Sequence, residues 1–354
     1  MENQHDTLLG LGWSDWFEHR AEYRPTEAIA RVAAVDRGQY LLVDPTGSFR
    51  AKLAGGCSHR RLAHELPCVG DWVHVERQPD NDFGTIHTIL ERRTVLRRKS
   101  VGNVVEYQMI AANVDCVVIV QSCQFDFNLK RLERYLVMVK DGGAEPCILL
   151  TKTDLAEPAV LAAQLADIQA AGIIAPVLTL SNVTQEGVDA FKRLLHPGKT
   201  YCFVGSSGVG KSTLINGLIG REMLATGAVS GTGEGRHTTV RRELICLAGG
   251  ALVVDNPGMR EFGVLGAENS VRDSFSGIVE LATRCRYRDC SHTGEPGCAV
   301  LEAVHSGEIR REQVENYQKL HEESEFHQMS YADKRKKDRD FGKYVKSVKK
   351  NLKN

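Results

Sequence analysis

The segment Gly205-Ser206-Ser207-Gly208-Val209-Gly210-Lys211-Ser212 constrains this chain more than any other. It follows the apolar stretch Tyr201–Val204 and precedes Leu214, Ile215, Leu218 and Ile219, which recur at helical spacing. A strand, a turn of spacing G-x-x-x-x-G-K-S and a helix, in that order, turn several backbone N–H groups toward one point at a helix N-terminus. That is a cradle for phosphate. Lys211 is placed to reach β- and γ-phosphates and the Ser212 hydroxyl to ligate Mg²⁺, with Thr213 next in the helix. Such a cradle needs a buried parallel sheet behind it.

The flanking sequence supplies one. Val114–Val120 is a near-continuous apolar run, as expected of a strand covered on both faces. Asn128 is positioned to cap a helix with Leu129, Leu132, Leu136 and Val139 on one face, ending at Gly142. Cys147–Leu150, Pro176–Leu180 and Leu252–Val254 read as further strands, and 158–172 as a further helix. Repeated strand–helix units imply a doubly wound α/β sheet with ligands at the carboxyl ends of its strands.

Three more motifs accompany it, two of them at predicted strand ends. Asp255-Asn256-Pro257-Gly258 closes Leu252–Val254, so Asp255 is a candidate for holding Mg²⁺ and Gly258 for sensing a γ-phosphate. The glycine-rich stretch Gly231–Thr239 lies between Ser212 and Asp255, where a first switch belongs, and Thr238 or Thr239 offers Mg²⁺ a second hydroxyl. Thr151-Lys152-Thr153-Asp154 follows Cys147–Leu150. It corresponds to the Asn-Lys-x-Asp of guanine-binding proteins, with Thr151 in place of the Asn, and the Asp of that motif accepts hydrogen bonds that adenine cannot offer. This motif stands before the phosphate loop, whereas ordinary GTPases place it after the second switch. Ser181-Asn182 is then the second base loop, and the motif order is circularly permuted.

Residues 27–96 differ in texture. Glu27–Val35, Gln39–Val43, Phe49–Leu53, Asp71–Glu76 and Thr85–Leu90 read as five short strands of a small barrel, OB-fold or SH3-like. Far downstream, Cys285, Cys290, His292 and Cys298 offer three thiolates and an imidazole within fourteen residues. That set suits a closed, structural zinc site. Among the 10 cysteines the rest are scattered, mostly in apolar stretches, and with no secretion signal read as small hydrophobes. No apolar run approaches the roughly 18 residues of a membrane span, so a cytoplasmic, membrane-free protein is expected. Net charge is zero overall, yet residues 331–354 carry ten Lys or Arg against three Asp. A basic tail on an acidic body points to a polyanionic partner.

Taken together these residues resemble one family, the ribosome small-subunit-dependent GTPases of the RsgA type. The resemblance runs through Val69-Gly70-Asp71-Trp72-Val73, the segment 108–115, the permuted motifs, Gly235-Arg236-His237-Thr238-Thr239 and the cysteine–histidine spacing to Pro296-Gly297-Cys298. It implies a multi-domain chain with an N-terminal OB-fold β-barrel, a central circularly permuted α/β P-loop GTPase domain and a C-terminal, mainly helical zinc-binding domain. The expected boundaries are an extension over 1–26, the barrel over 27–98, the GTPase domain over 99–265, the zinc domain over 266–330 and the tail over 331–354. The resemblance also implies GTP hydrolysis to GDP, stimulated by the small (30S) ribosomal subunit and its rRNA during late maturation. A monomer is expected. Thr151 stands where Asn is commoner, Asn256 where Thr is usual, and Gly231–Gly235 is spelled differently from the family's most frequent form. Met259 follows Gly258 and cannot orient water as a Gln does in Ras-like enzymes, so intrinsic turnover should be slow; His237 is the candidate for that task. The alternatives are a P-loop kinase or ATPase, and an RNA-binding protein that holds nucleotide beside a structural zinc site.

Overall fold

The computed structural model describes residues 8–22, 24, 26–36, 38–55, 62–77, 83–99, 107–220, 242–255 and 267–328. The chain divides into two compact units, residues 1–262 and 263–354.

The first unit opens with a short helix, α1 (Asp15–Glu18), and five strands: β1 (Ala28–Asp36), β2 (Gln39–Asp44), β3 (Gly47–Leu53), β4 (Trp72–Arg77) and β5 (Phe83–Ile89). One half of β1 pairs with β2 and the other half with β4, so the sheet closes on itself. The register slips between Val32 and Ala34, a bulge that bends β1 enough to serve both partners. Strand β3 runs parallel to β5, which returns antiparallel to β4. This parallel closure selects the OB-fold over an SH3-like meander. Val32, Leu42, Phe49, Val73, Val75 and Ile86 fill the interior.

A two-stranded ribbon follows, β6 (Val95–Lys99) with β7 (Tyr107–Ala112), and straddles residue 98. Its first strand is Val-Leu-Arg-Arg-Lys, which has no alternation for sequence reading to catch. Beyond it come β8 (Cys116–Ser122), α2 (Leu129–Asp141), β9 (Glu145–Thr151), α3 (Pro158–Ala170), β10 (Val177–Leu180), α4 (Val188–Leu194), β11 (Thr200–Val204), α5 (Lys211–Ile219), β12 (Glu243–Cys246) and β13 (Leu252–Asp255). The order β10-β9-β8-β11-β13 is parallel throughout. Only β12, which the sequence did not announce, runs antiparallel to β13; it also touches β1 at Glu243↔Ala34. Val118, Ile119, Val120, Ile148, Leu149, Cys202, Phe203, Val204, Val253 and Val254 are wholly buried, so both faces of the sheet are covered. Asn128 caps α2 as predicted, its side chain accepting the Arg131 N–H at 2.9 Å. Leu132, Leu136 and Val139 of that helix are buried against the sheet, each worth about 1.5–3 kcal/mol of burial.

Arg31 knits these parts together. It is wholly buried, and its guanidinium donates to the carbonyls of Gly70 (3.2 Å), Asn113 (3.0 Å) and Leu11. Asn113, in left-handed backbone at φ 55°, adds its own amide to Gly70 O at 3.1 Å. Burial pushes the Arg31 pKa down to about 10, with the charges of Asp115 and Asp71 opposing the shift. It therefore stays protonated at neutral pH. Trp13 and Phe17 meanwhile pack on Trp72, with ring centroids 4.9 and 6.0 Å away. The stretch from Leu8 to Ala21 is thus part of the folded body.

The second unit is mainly helical, with α6 (Glu268–Ser274), α7 (Ser276–Ala282), α8 (Ala299–His305) and α9 (Arg311–Gln328). Val271, Ile278, Val300, Val314 and Leu320 form its buried positions. Among the described residues all cysteines are free, and no helix is long and apolar enough to cross a membrane.

Asn128→Ala is expected to cost about 1 kcal/mol through the lost cap. Arg31→Met should cost more, about 2–4 kcal/mol, because two buried carbonyls and a part-buried one lose a charged donor. Denaturation followed by circular dichroism and by the fluorescence of the Trp13–Trp72 pair checks both, and an Arg31→Met protein as stable as wild type would refute the second.

Candidate functional site

The phosphate-loop sequence lies where the parallel sheet turns into helix α5. Gly205 leaves β11 at φ 146°, and a Cβ there would overlap the Val120 carbonyl of the neighbouring strand. Gly208 and Gly210 also have positive φ, at 80° and 95°. Val209 tucks inward at 1% exposure, anchoring the loop, while Ser207 and Gly208 lie open to solvent and Ser206 and Ser212 are half-buried. Thr213 faces outward from the first turn of α5. Lys211 is buried, and its ammonium donates to Gly205 O at 2.8 Å and Ser206 O at 2.6 Å. Desolvation lowers its pKa to about 8, against the opposing charges of Asp255 and Asp126. Asp255 is itself buried at the end of β13, the strand beside β11. An acidic and a basic side chain thus share the mouth of the loop.

The T-K-T-D loop and the Ser181–Asn182 loop converge on the same place. Thr151 ends β9 wholly buried, and its hydroxyl lies 2.6 Å from Val209 O and 3.2 Å from Gln121 O. The residue that departs from the usual Asn therefore ties the T-K-T-D loop to the phosphate loop. Lys152 turns the chain in left-handed backbone at φ 58°, and Thr153–Leu155 form a single 3₁₀ turn that leaves Asp154 at the surface. Asp154 accepts a short hydrogen bond from the hydroxyl of Ser181, a residue buried at the end of β10. Asn182 in turn donates to Gly210 O at 3.1 Å. Carboxylate, hydroxyl and cradle are joined in one network. His237, Thr238, Thr239 and Gly258 lie outside the described residues, as does the basic tail.

In the second unit the ligand atoms of Cys285, Cys290, His292 and Cys298 all lie within 4.8 Å of one another, an arrangement that could hold a metal ion. His292 Nδ1 is 3.7 Å from Cys285 Sγ and 3.3 Å from Cys298 Sγ, and the two sulfurs are 3.9 Å apart. Cys298 also caps α8, accepting the Leu301 N–H at 3.4 Å. Two residues that sequence reading missed brace this loop. Glu295 accepts the N–H groups of Ser291 (2.8 Å), Thr293 (2.9 Å) and Gly294 (3.0 Å), and the Ser291 hydroxyl first, then the N–H groups of Gly294, Glu295 itself and Ser291, hold its carboxyl far below the usual range. Gln318, from α9, donates to the carbonyls of Ser291 (2.8 Å) and His292 (3.0 Å). A surface Glu and a helical Gln carry no motif, so nothing in the sequence marked them.

Comparison with known proteins places the chain in a family. The family model described as RsgA GTPase matches residues 89–265. The "Small ribosomal subunit biogenesis GTPase RsgA 2" of Listeria monocytogenes is 40% identical over 322 residues, covering 91% of this chain and 90% of that protein. Among solved structures, YjeQ from Thermotoga maritima is 26% identical with a TM-score of 0.60, over 84% of this chain and 98% of that one. YloQ, described as a circularly permuted GTPase, is 25% identical with a TM-score of 0.58, over 88% and 100%. The chain belongs to the RsgA GTPase family.

Proposed function

We propose that this chain is a GTPase of small ribosomal subunit maturation, binding GTP between the T-K-T-D loop, the Ser181 loop and the phosphate loop. The observation that carries the reading is the hydrogen-bonded junction of those three loops, Thr151 to Val209 and Asn182 to Gly210, with Ser181 on Asp154. Asp154 reads guanine N1–H and the exocyclic amine while Ser181 fixes its direction; Lys152 and Thr153 shape the base pocket. Gly205, Ser206, Ser207, Gly208, Val209 and Gly210 wrap the phosphates, Lys211 offsets their charge, and Ser212 and Thr213 open the helix beneath them. Gly258 senses the γ-phosphate.

Ser212 and Asp255 offer oxygen donors, a set that fits Mg²⁺, with Thr238 or Thr239 as a further ligand. When bound, the ion offsets charge on the β- and γ-phosphates. His237 orients the attacking water, and subunit contact brings it to bear. The Cys₃His set fits zinc. Bonds of about 2.3 Å to sulfur and about 2.0 Å to nitrogen at tetrahedral angles put sulfurs about 3.8 Å apart and sulfur and nitrogen about 3.5 Å apart, close to the spacings of Cys285, His292 and Cys298. The barrel (27–98), zinc-binding domain (266–330) and basic tail (331–354) hold rRNA around the GTPase domain (99–265), and the protein acts as a cytoplasmic monomer.

Three measurements test this. GTP hydrolysis should rise many-fold on adding small ribosomal subunits, ATP should not substitute, and His237→Ala should abolish the stimulation while leaving GTP binding intact. Equal turnover of ATP would refute guanine selectivity. Second, Lys211 loses its proton near pH 8 in the free protein and regains it against phosphate. GDP affinity should therefore fall as pH rises from 7.5 to 9, by up to about tenfold per unit, with proton uptake on binding; a flat calorimetric profile would contradict this. Third, a chelator should unfold the second unit, with loss of helical circular dichroism that added Zn²⁺ restores.

A further inference from the structure

The amide of Asn182 is aimed at the phosphate loop by a network that leaves its own loop little freedom. Ser181 Oγ accepts the N–H groups of Val183 and Thr184, each at 3.1 Å, and Ser181 N–H reaches Glu186 O at 3.0 Å. Gln185, in left-handed backbone at φ 64°, donates its side-chain amide to Asn182 O at 2.6 Å. Held in this way, half-buried Asn182 sends Nδ2 to Gly210 O at 3.1 Å. The fit is close: a Cβ on Gly210 would stand 2.9 Å from that nitrogen. The same carbonyl accepts Leu214 N–H at 3.0 Å, the first bond of α5.

A peptide group is planar, so the Gly210 carbonyl and the Lys211 N–H point in opposite directions within one plane. Fixing the carbonyl fixes the N–H. Thr151 does the same one residue earlier, since its bond to Val209 O sets the direction of the Gly210 N–H. Two consecutive amides of the phosphate cradle are thus oriented by side chains that belong to the base loops. Asp154 joins the chain through Ser181, the residue next to Asn182.

We propose, on the nucleotide-site reading above, that Asn182 is a positioning residue that couples guanine recognition to phosphate binding by orienting the Lys211 amide. Removing its donor lets the peptide rock, and the phosphates lose a directed N–H. Guanine seated on Asp154 stiffens the Ser181–Asn182 loop and so sharpens the cradle; without Asn182 that benefit does not cross.

The test is a double-mutant cycle on GDP affinity at pH 7 with wild type, Asn182→Ala, Asp154→Asn and the double variant. Asn182→Ala should weaken GDP about fivefold, the size of one hydrogen bond. The double variant should lose at least threefold less than the product of the single losses. In turnover with small subunits, Asn182→Ala should raise KM for GTP and leave kcat unchanged. Asn182→Asp keeps the size, removes the donor and sets a carboxylate against a carbonyl, so it should bind GDP more weakly still, and it serves if the Ala variant melts early. Additive losses, or variants that bind GDP as wild type does, overturn the coupling alone. A wild-type chain that binds no guanine nucleotide overturns the functional reading beneath it.

Discussion

Five parallel strands, four of them buried on both faces and β10 half-buried at the end of the sheet, leave their carboxyl ends at one edge, and the proposed chemistry of this chain depends on that constraint. Backbone groups within the sheet satisfy one another, so polar side chains gather where the strands stop. Thr151 and Asp255 end two of these strands, Ser181 directly follows a third, and the phosphate loop is the turn that follows β11. Lys211 illustrates the electrostatic consequence. It is buried at the edge, held by two carbonyls of its own loop and depressed to about 8, which leaves it poised to gain from any anion that enters.

Circular permutation changes the order in which the chain visits that edge without changing what meets there. Strand β9 precedes β11 in the chain but lies two places from it in the sheet, with β8 between them. Cutting the loop order elsewhere moves the termini and leaves the hydrogen-bonded neighbours alone. The link between β12 and β1, at Glu243 and Ala34, and the carbonyls gathered by Arg31 join the barrel to this sheet. Arg31 is costly to bury and is satisfied by carbonyls drawn from the N-terminal segment, the barrel and the turn before β8. That arrangement makes the relative placement of those three pieces specific, because moving any one of them strands a buried cation.

Much of this was legible beforehand. The strand–helix alternation, the Asn128 cap, the five barrel strands and the Cys₃His spacing follow from local rules, since periodicity, capping and metal-ligand spacing act over a few residues. The β6–β7 ribbon and β12 were not legible. Their strands are short and show no sustained alternation, stabilised by pairing with a partner rather than by any pattern of their own. Glu295 and Gln318 were missed for the same kind of reason, as each acts on backbone groups that only the folded loop brings within reach.

Thr151 marks the division most clearly. As a letter in a motif it reads as a departure from Asn, and the departure raises a question about base recognition. In the fold it is wholly buried and bonded to Val209, so its part is to hold the cradle. The sequence by itself determined the elements, their order and the residue types gathered for nucleotide and metal. The tertiary structure alone decided which carbonyl each side chain would grip, because residues 58 apart in the chain are hydrogen-bonded neighbours only once the sheet has closed.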